Sequence, residues 1–124
     1  MTSKEVSMRL KTAGFFEPTP KFHELRTTGE WALSSLGGLN CSKEFATKAT
    51  IIPAYDAEVL FEWLRGWHRD NPFRSFGIEN DGITAFDWGP RDNAKWIEYE
   101  DSLATTMAEA ILWILEDNDA QTKD

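Results

Sequence analysis

From Leu103 to Leu115 the apolar side chains recur three and four residues apart: Leu103, Met107, Ala110, Ile111, Ile114 and Leu115. On a helix of 3.6 residues per turn these positions make one broad apolar face. Such a face must be covered, so the chain has to fold as packed layers around it. Asp101 or Ser102 can cap the start of this helix, and Asn118 can end it in the left-handed region. The spacing predicts a helix over Ser102–Asn118, with Thr105 and Thr106 at its surface. Residues 119–124 are expected to form a disordered acidic tail.

The segments upstream supply candidate covers. Thr2-Ser3-Lys4-Glu5 reads as a capping box opening a helix over Ser3–Ala13, with Val6, Leu10 and Ala13 on one face. Gly14 suits the left-handed position that closes such a helix, and Phe15 can fold back onto Leu10. Pro18 and Pro20 prevent its continuation. Thr28–Leu36 reads as a strand that Gly37-Gly38 breaks, and Phe45–Ile52 as a second strand that Pro53 stops.

Asp56 is a fitting cap for a second helix over Ala57–Arg69. Leu60, Leu64 and Trp67 form its buried stripe, Phe61 and Trp63 flank them, and Tyr55 with Leu60 can staple the entry. Asp70-Asn71-Pro72 ends it. Arg74–Glu79 and Gly82–Trp88 are two apolar runs joined through Asn80-Asp81-Gly82, a hairpin signal. Ala94–Glu100 alternates as the third strand of the meander, with Ile97 and Tyr99 inward and Trp96 and Glu98 on the opposite face. The expected fold is a single α+β domain over residues 1–118, in the order α-β-β-α-β-β-β-α, with an antiparallel meander packed against helices.

A chain of 124 residues can bury roughly two-thirds of the surface its unfolded form exposes, so neither disulfides nor a metal are needed for folding. The lone Cys41 agrees with a reducing, cytoplasmic setting. Nothing around it signals an activated thiol. No apolar run is long enough to cross a membrane, and the first residues lack a signal-peptide layout. The six tryptophans and eight phenylalanines are first of all core material for a small domain.

Charge is the least even property. The formal net charge is −8, and residues 96–124 carry eight acids against Lys123 alone. An acidic end of this kind repels phosphates and disfavours direct nucleic-acid binding. Glu116 and Asp117 stand at a helix C-terminus, where negative charge opposes the helix dipole by about 0.3–1 kcal/mol each. Local helix stability therefore does not account for them. Solubility is the ordinary reading. The functional reading is a docking surface for a protein with a basic face, built from Glu98, Glu100, Asp101, Glu109, Glu116 and Asp117.

The segments Ser7-Met-Arg-Leu-Lys-Thr-Ala-Gly-Phe15, Ile52-Pro-Ala-Tyr-Asp-Ala-Glu-Val-Leu-Phe-Glu-Trp-Leu64 and Ala108-Glu-Ala-Ile-Leu-Trp-Ile-Leu-Glu116 follow one another with an aromatic strand near Trp31 between the first two. In this order they resemble a group of small accessory proteins of tailed phages and prophages. The resemblance covers most of the chain, apart from Gly37–Ala46 and Phe73–Trp88. It implies a mobile-element context in the cytoplasm of a host bacterium and carries no catalytic activity with it.

Asp81, Asp87 and Asp92 lie near turns, where paired carboxylates can do acid–base work but where Asp is also simply favoured. His23 and His68 lack the clustering of metal ligands. Gly37-Gly38-Leu-Asn-Cys-Ser-Lys43 lacks the phosphate-loop spacing and reads as a loop between strands. Trp63, Trp67 and Trp88 either pack in the core or line an aromatic pocket. No catalytic, metal or cofactor set emerges. The leading expectation is a non-enzymatic module acting by protein contact, in its sharpest form an inhibitor of a host defence or nucleic-acid-handling protein. A Trp-lined ligand-binding domain or small enzyme is the alternative, and a homodimer through an exposed strand edge is a third reading.

Overall fold

The computed structural model describes residues 1–70, 74–87, 93–99 and 102–122, with the backbone alone at 85–87, 93–94 and 117–122. The elements are α1 (Lys4–Thr12), β1 (Lys21–Leu25), β2 (Trp31–Ser35), α2 (Lys43–Ala46), β3 (Ile51–Ala54), α3 (Ala57–Arg69), β4 (Arg74–Ile78), β5 (Gly82–Asp87), β6 (Asn93–Glu98) and α4 (Leu103–Thr122). The class is α+β. The expected order α-β-β-α-β-β-β-α is present, with β1 and the one-turn α2 added to it.

Helix α1 closes as expected. The Phe15 N–H donates to Leu10 O and the Gly14 N–H to Lys11 O, with Gly14 at φ +85°. These are the paired bonds of a Schellman ending, which needs a residue free to adopt positive φ. Its start differs by one residue. Ser3, not Thr2, is the cap and accepts the Val6 N–H at 3.3 Å. Thr2 is buried instead and bonds Tyr55 and Ser7.

The first sheet has the antiparallel order β2-β1-β3. The strand expected over Phe45–Ile52 lies later and contains Pro53. Proline survives there because β3 is an edge strand, where a missing N–H costs the ladder little. The residues before it form α2, capped by Ser42 Oγ, which accepts the Phe45 N–H at 3.0 Å. Alternation along the strands sorts two faces. Phe22 and Ile51 join Cys41 in a small buried cluster backed by Phe45. Ile52 and Ala54 are fully buried on the other side, and α1 packs on β3.

The second sheet is the meander β4-β5-β6. The Glu79 N–H donates to Gly82 O at 2.8 Å across its first turn. Register places Ile83 opposite both Ile78 and Ile97. Ile83 and Ile97 are buried, but Tyr99, expected inward, is 52% exposed. Strand β6 ends at Glu98, so Tyr99 leaves the alternation that would have turned it to the core.

Helix α4 is central: α1 and α3 pack on it, and so do β5 and β6. Being covered from two directions, it buries more than one stripe. Ala104, Ala108 and Leu112 join the expected Met107, Ala110, Ile111 and Ile114. Thr105 and Thr106, expected at the surface, are also buried. Their hydroxyls are satisfied at the helix start. Ser102 Oγ accepts the Thr105 N–H at 3.1 Å and donates to Thr105 Oγ1, while Thr106 Oγ1 donates to Ser102 O at 3.0 Å. The helix continues past Asn118 to Thr122, so the backbone of 119–122 is helical where an irregular tail was expected. Residues 123 and 124 lie outside the described residues. One large core cluster joins α1, Tyr55, α3, Ile83, Ile97 and α4.

Candidate functional site

The meander order leaves β6 at a sheet edge beside α4, and two grooves meet there at Trp96. One, of about 320 Å³, runs between β6 and α4, with Lys95 and Trp96 on the strand side and Glu109, Trp113 and Glu116 on the helix side. Arg9 of α1 closes its end. The other, of about 390 Å³, is bounded by Asn80, Asp81, Trp96, Glu98 and Tyr99.

The hairpin sets the position of Trp96. Gly82 pairs with Glu98, and a Cβ on Gly82 would lie 2.3 Å from Ile97 O and 2.7 Å from Trp96 Cζ2. The indole therefore rests against bare backbone. The Tyr99 N–H donates to Asp81 O at 2.7 Å, which holds the end of β6 to the turn. Trp96 is 40% exposed beside the still more exposed Tyr99. Two large aromatic groups thus stand in water at one edge.

The charges around them are mixed. Glu109 is engaged by Arg9 in an ion pair that fastens α1 to α4. It belongs to the fold more than to a free acidic surface. Glu98, Glu116 and Asp81 are exposed and form no ion pair among the described residues. Lys95 is exposed between them. Of the six acids expected to act together, Glu109 and Glu116 share one groove and Glu98 stands in the next. Glu100 and Asp101 lie outside the described residues, as do Trp88 and Asp92, and Asp117 is described by its backbone alone. Asp81, one of the turn carboxylates, joins Glu98 at an open groove. Trp113 and Tyr99 were not expected at a site, whereas the outward alternation of Trp96 with Glu98 was legible.

The remaining candidates have structural roles. Burial pushes the Cys41 thiol up from its ordinary range, against activation. His68 Nδ1 lies 2.6 Å from Arg74 O and His23 Nε2 lies 3.3 Å from Thr2 O. Among the described residues no three His, Cys, Asp or Glu side chains gather as a metal site would require. Asp87 pairs through its backbone with Arg74 and Asn93. Within the Gly37–Lys43 stretch, Gly37 turns the chain at φ +70° and Lys43 opens α2, which is a single turn. Trp63 and Trp67 share a different groove on α3. No helix among the described residues is long and apolar enough to cross a membrane.

No protein-family model matches the chain, and neither the curated proteins nor the solved structures contain a match to it.

Proposed function

We propose that the protein is a non-enzymatic binding module that engages a basic face of another protein through its β6 edge. The observation that carries this reading is the exposure of Trp96 and Tyr99 at the junction of two grooves whose rims hold Asp81, Glu98 and Glu116. Tryptophan and tyrosine supply most of the energy of many protein interfaces, and rim carboxylates steer and select a partner of opposite charge. A strand edge adds unpaired backbone groups that a partner can use.

Arg9 and Lys95 interrupt the acids, so the surface suits a basic protein face better than it imitates a row of phosphates. The finer reading follows the resemblance: an accessory protein of a tailed phage, working in the bacterial cytoplasm and restraining a host defence or nucleic-acid-handling protein through that protein's basic surface. The test is affinity capture from a bacterial lysate, followed by titration of the captured partner against wild-type protein, Trp96→Ala and Glu98→Lys. Each variant should weaken binding by about tenfold or more, and affinity should fall with salt. A partner held equally by both variants would remove the β6 edge from the function.

A further inference from the structure

We propose that the protein forms a two-fold dimer through the outer edge of β2, joining two first sheets into one continuous sheet. This surface lies apart from the β6 edge and does not depend on the reading of that edge.

The order β2-β1-β3 leaves two edges, and they differ. Along Thr50–Tyr55, Thr50 O accepts the Leu25 N–H, so positions 50, 52 and 54 bond to β1 while 51, 53 and 55 face outward. The outward groups are taken. The Ile51 N–H donates to Lys48 O at 3.1 Å, and Ile51 O accepts from Lys11 Nζ at 2.7 Å. Pro53 has no N–H to offer. Thr2 bonds both the N–H and the C=O of Tyr55. This edge is closed.

The β2 edge is open. The Arg26 N–H donates to Glu30 O at 2.8 Å and the Leu36 N–H to Pro20 O at 2.9 Å, which fixes the phase of the ladder. Positions 30, 32, 34 and 36 bond to β1, so Trp31, Leu33 and Ser35 turn their N–H and C=O groups away from it. No loop, turn or side chain among the described residues bonds these groups. Edges are commonly blunted by charge, proline or a bulge. The strand Trp-Ala-Leu-Ser-Ser has none of these. Strand β6, by contrast, carries Lys95 and Glu98.

Symmetry and charge select a second copy as the occupant. A two-fold axis at Leu33 sets it against Leu33 of the second copy, and Trp31 of each copy against Ser35 of the other. All of these are outward-bonding positions, so each pair exchanges its N–H and C=O groups. Leu33 is 51% exposed, and Leu36 and Leu39 just beyond it are also exposed. A chain of net charge −8 meets itself most readily where charge is absent, and residues 31–42 are its longest stretch without a charged residue. Glu30, beside the edge, falls opposite Leu36 of the second copy, so like charges do not face each other. A basic protein would find no carboxylate on β2. A five-residue edge buries a modest area, which sets dissociation in the micromolar range.

Sedimentation equilibrium of the full chain, in reductant and at rising concentration, should show monomer passing to dimer. Amide exchange supplies the register. Once most of the protein is dimeric, the N–H groups of Trp31, Leu33 and Ser35 should exchange about tenfold more slowly, whereas those of Ala32 and Ser34, already bonded to β1, should change less. Leu33→Lys sets two like charges face to face on the axis and should weaken the dimer about tenfold or more. Met8→Lys makes the same charge change on an exposed residue of α1 and should leave the dimer intact. A monomer at the highest concentration reached, a dimer whose Trp31, Leu33 and Ser35 amides exchange as in the monomer, or equal effects of the two lysine variants would overturn the proposal.

Discussion

Thr2 and Tyr55 hold each other through two hydrogen bonds: the Thr2 N–H donates to Tyr55 O and the Tyr55 N–H donates to Thr2 Oγ1, each at 3.0 Å. The same hydroxyl lies 2.7 Å from Ser7 Oγ. One threonine thus stitches the entry of α1 to the junction of β3 and α3. Thr2→Val preserves its shape but leaves a buried N–H and a buried hydroxyl unpaired. It should cost about 2–3 kcal/mol, seen as a lower urea midpoint with unchanged slope. Thr2→Ser should stay close to wild type.

Alkaline pH should act through Tyr55. Burial pushes its hydroxyl up to about 12 from the model-compound value of 10, and the Glu17 N–H it accepts offsets only part of that effect. Because the folded-state value is raised, its stabilising contribution is complete below the unfolded value and is lost as pH rises through the folded one. The loss spans about pH 10 to 12 and amounts to about 2–3 kcal/mol. Cys41, raised by burial, acts in the same direction. Lys11, lowered by burial, acts in the opposite one. Urea melts across this range should show a flatter alkaline limb in Tyr55→Phe.

Two glycines should respond oppositely to alanine. At Gly82 the new Cβ meets backbone oxygen at 2.3 Å, a clash that no rotamer relieves. Gly82→Ala should cost about 2 kcal/mol or more and displace Trp96, which near-ultraviolet circular dichroism would register. At Gly66 the space is open, and alanine should gain about 0.5–1 kcal/mol of helix stability. A melt that reverses these signs would contradict the packing described for both.

The Arg9–Glu109 pair joins two helices, but Arg9 is about half exposed. A double-mutant cycle with Arg9→Met and Glu109→Gln should therefore give a coupling of about 1 kcal/mol or less. It should shrink with added salt.

Where local chemistry decides, the chain was legible. Helix α3 has the expected bounds because its apolar stripe is local, although Asp56 at its start makes no capping hydrogen bond and pairs with Lys21 instead. Gly14 behaved as its residue type requires, whereas Gly82 has no positive φ, opens β5 and is needed instead for the close approach of Ile97 and Trp96. Tertiary context decided the rest. Strand β1, Lys-Phe-His-Glu-Leu, buries only Phe22, so its pattern carries little signal until β2 and β3 flank it. Thr105 and Thr106 are buried because α4 is covered from two directions, which no single-helix periodicity reveals. At the sites, the outward face of Trp96 and Glu98 could be read from alternation. Trp63 and Trp67 on one groove could also be read, from their spacing on α3, whereas the approach of Glu17 to them could not.

The cluster of Phe22, Cys41 and Ile51 stands apart from the main core and is small. The first sheet's outer layer consequently has a lower threshold for opening than α4, since few apolar contacts must be broken. Cys41 then works as a built-in clock. In the native protein, a thiol reagent should label it at the rate of this local opening. That labelling should be complete long before the amides of Ile111 and Leu112 exchange with heavy water.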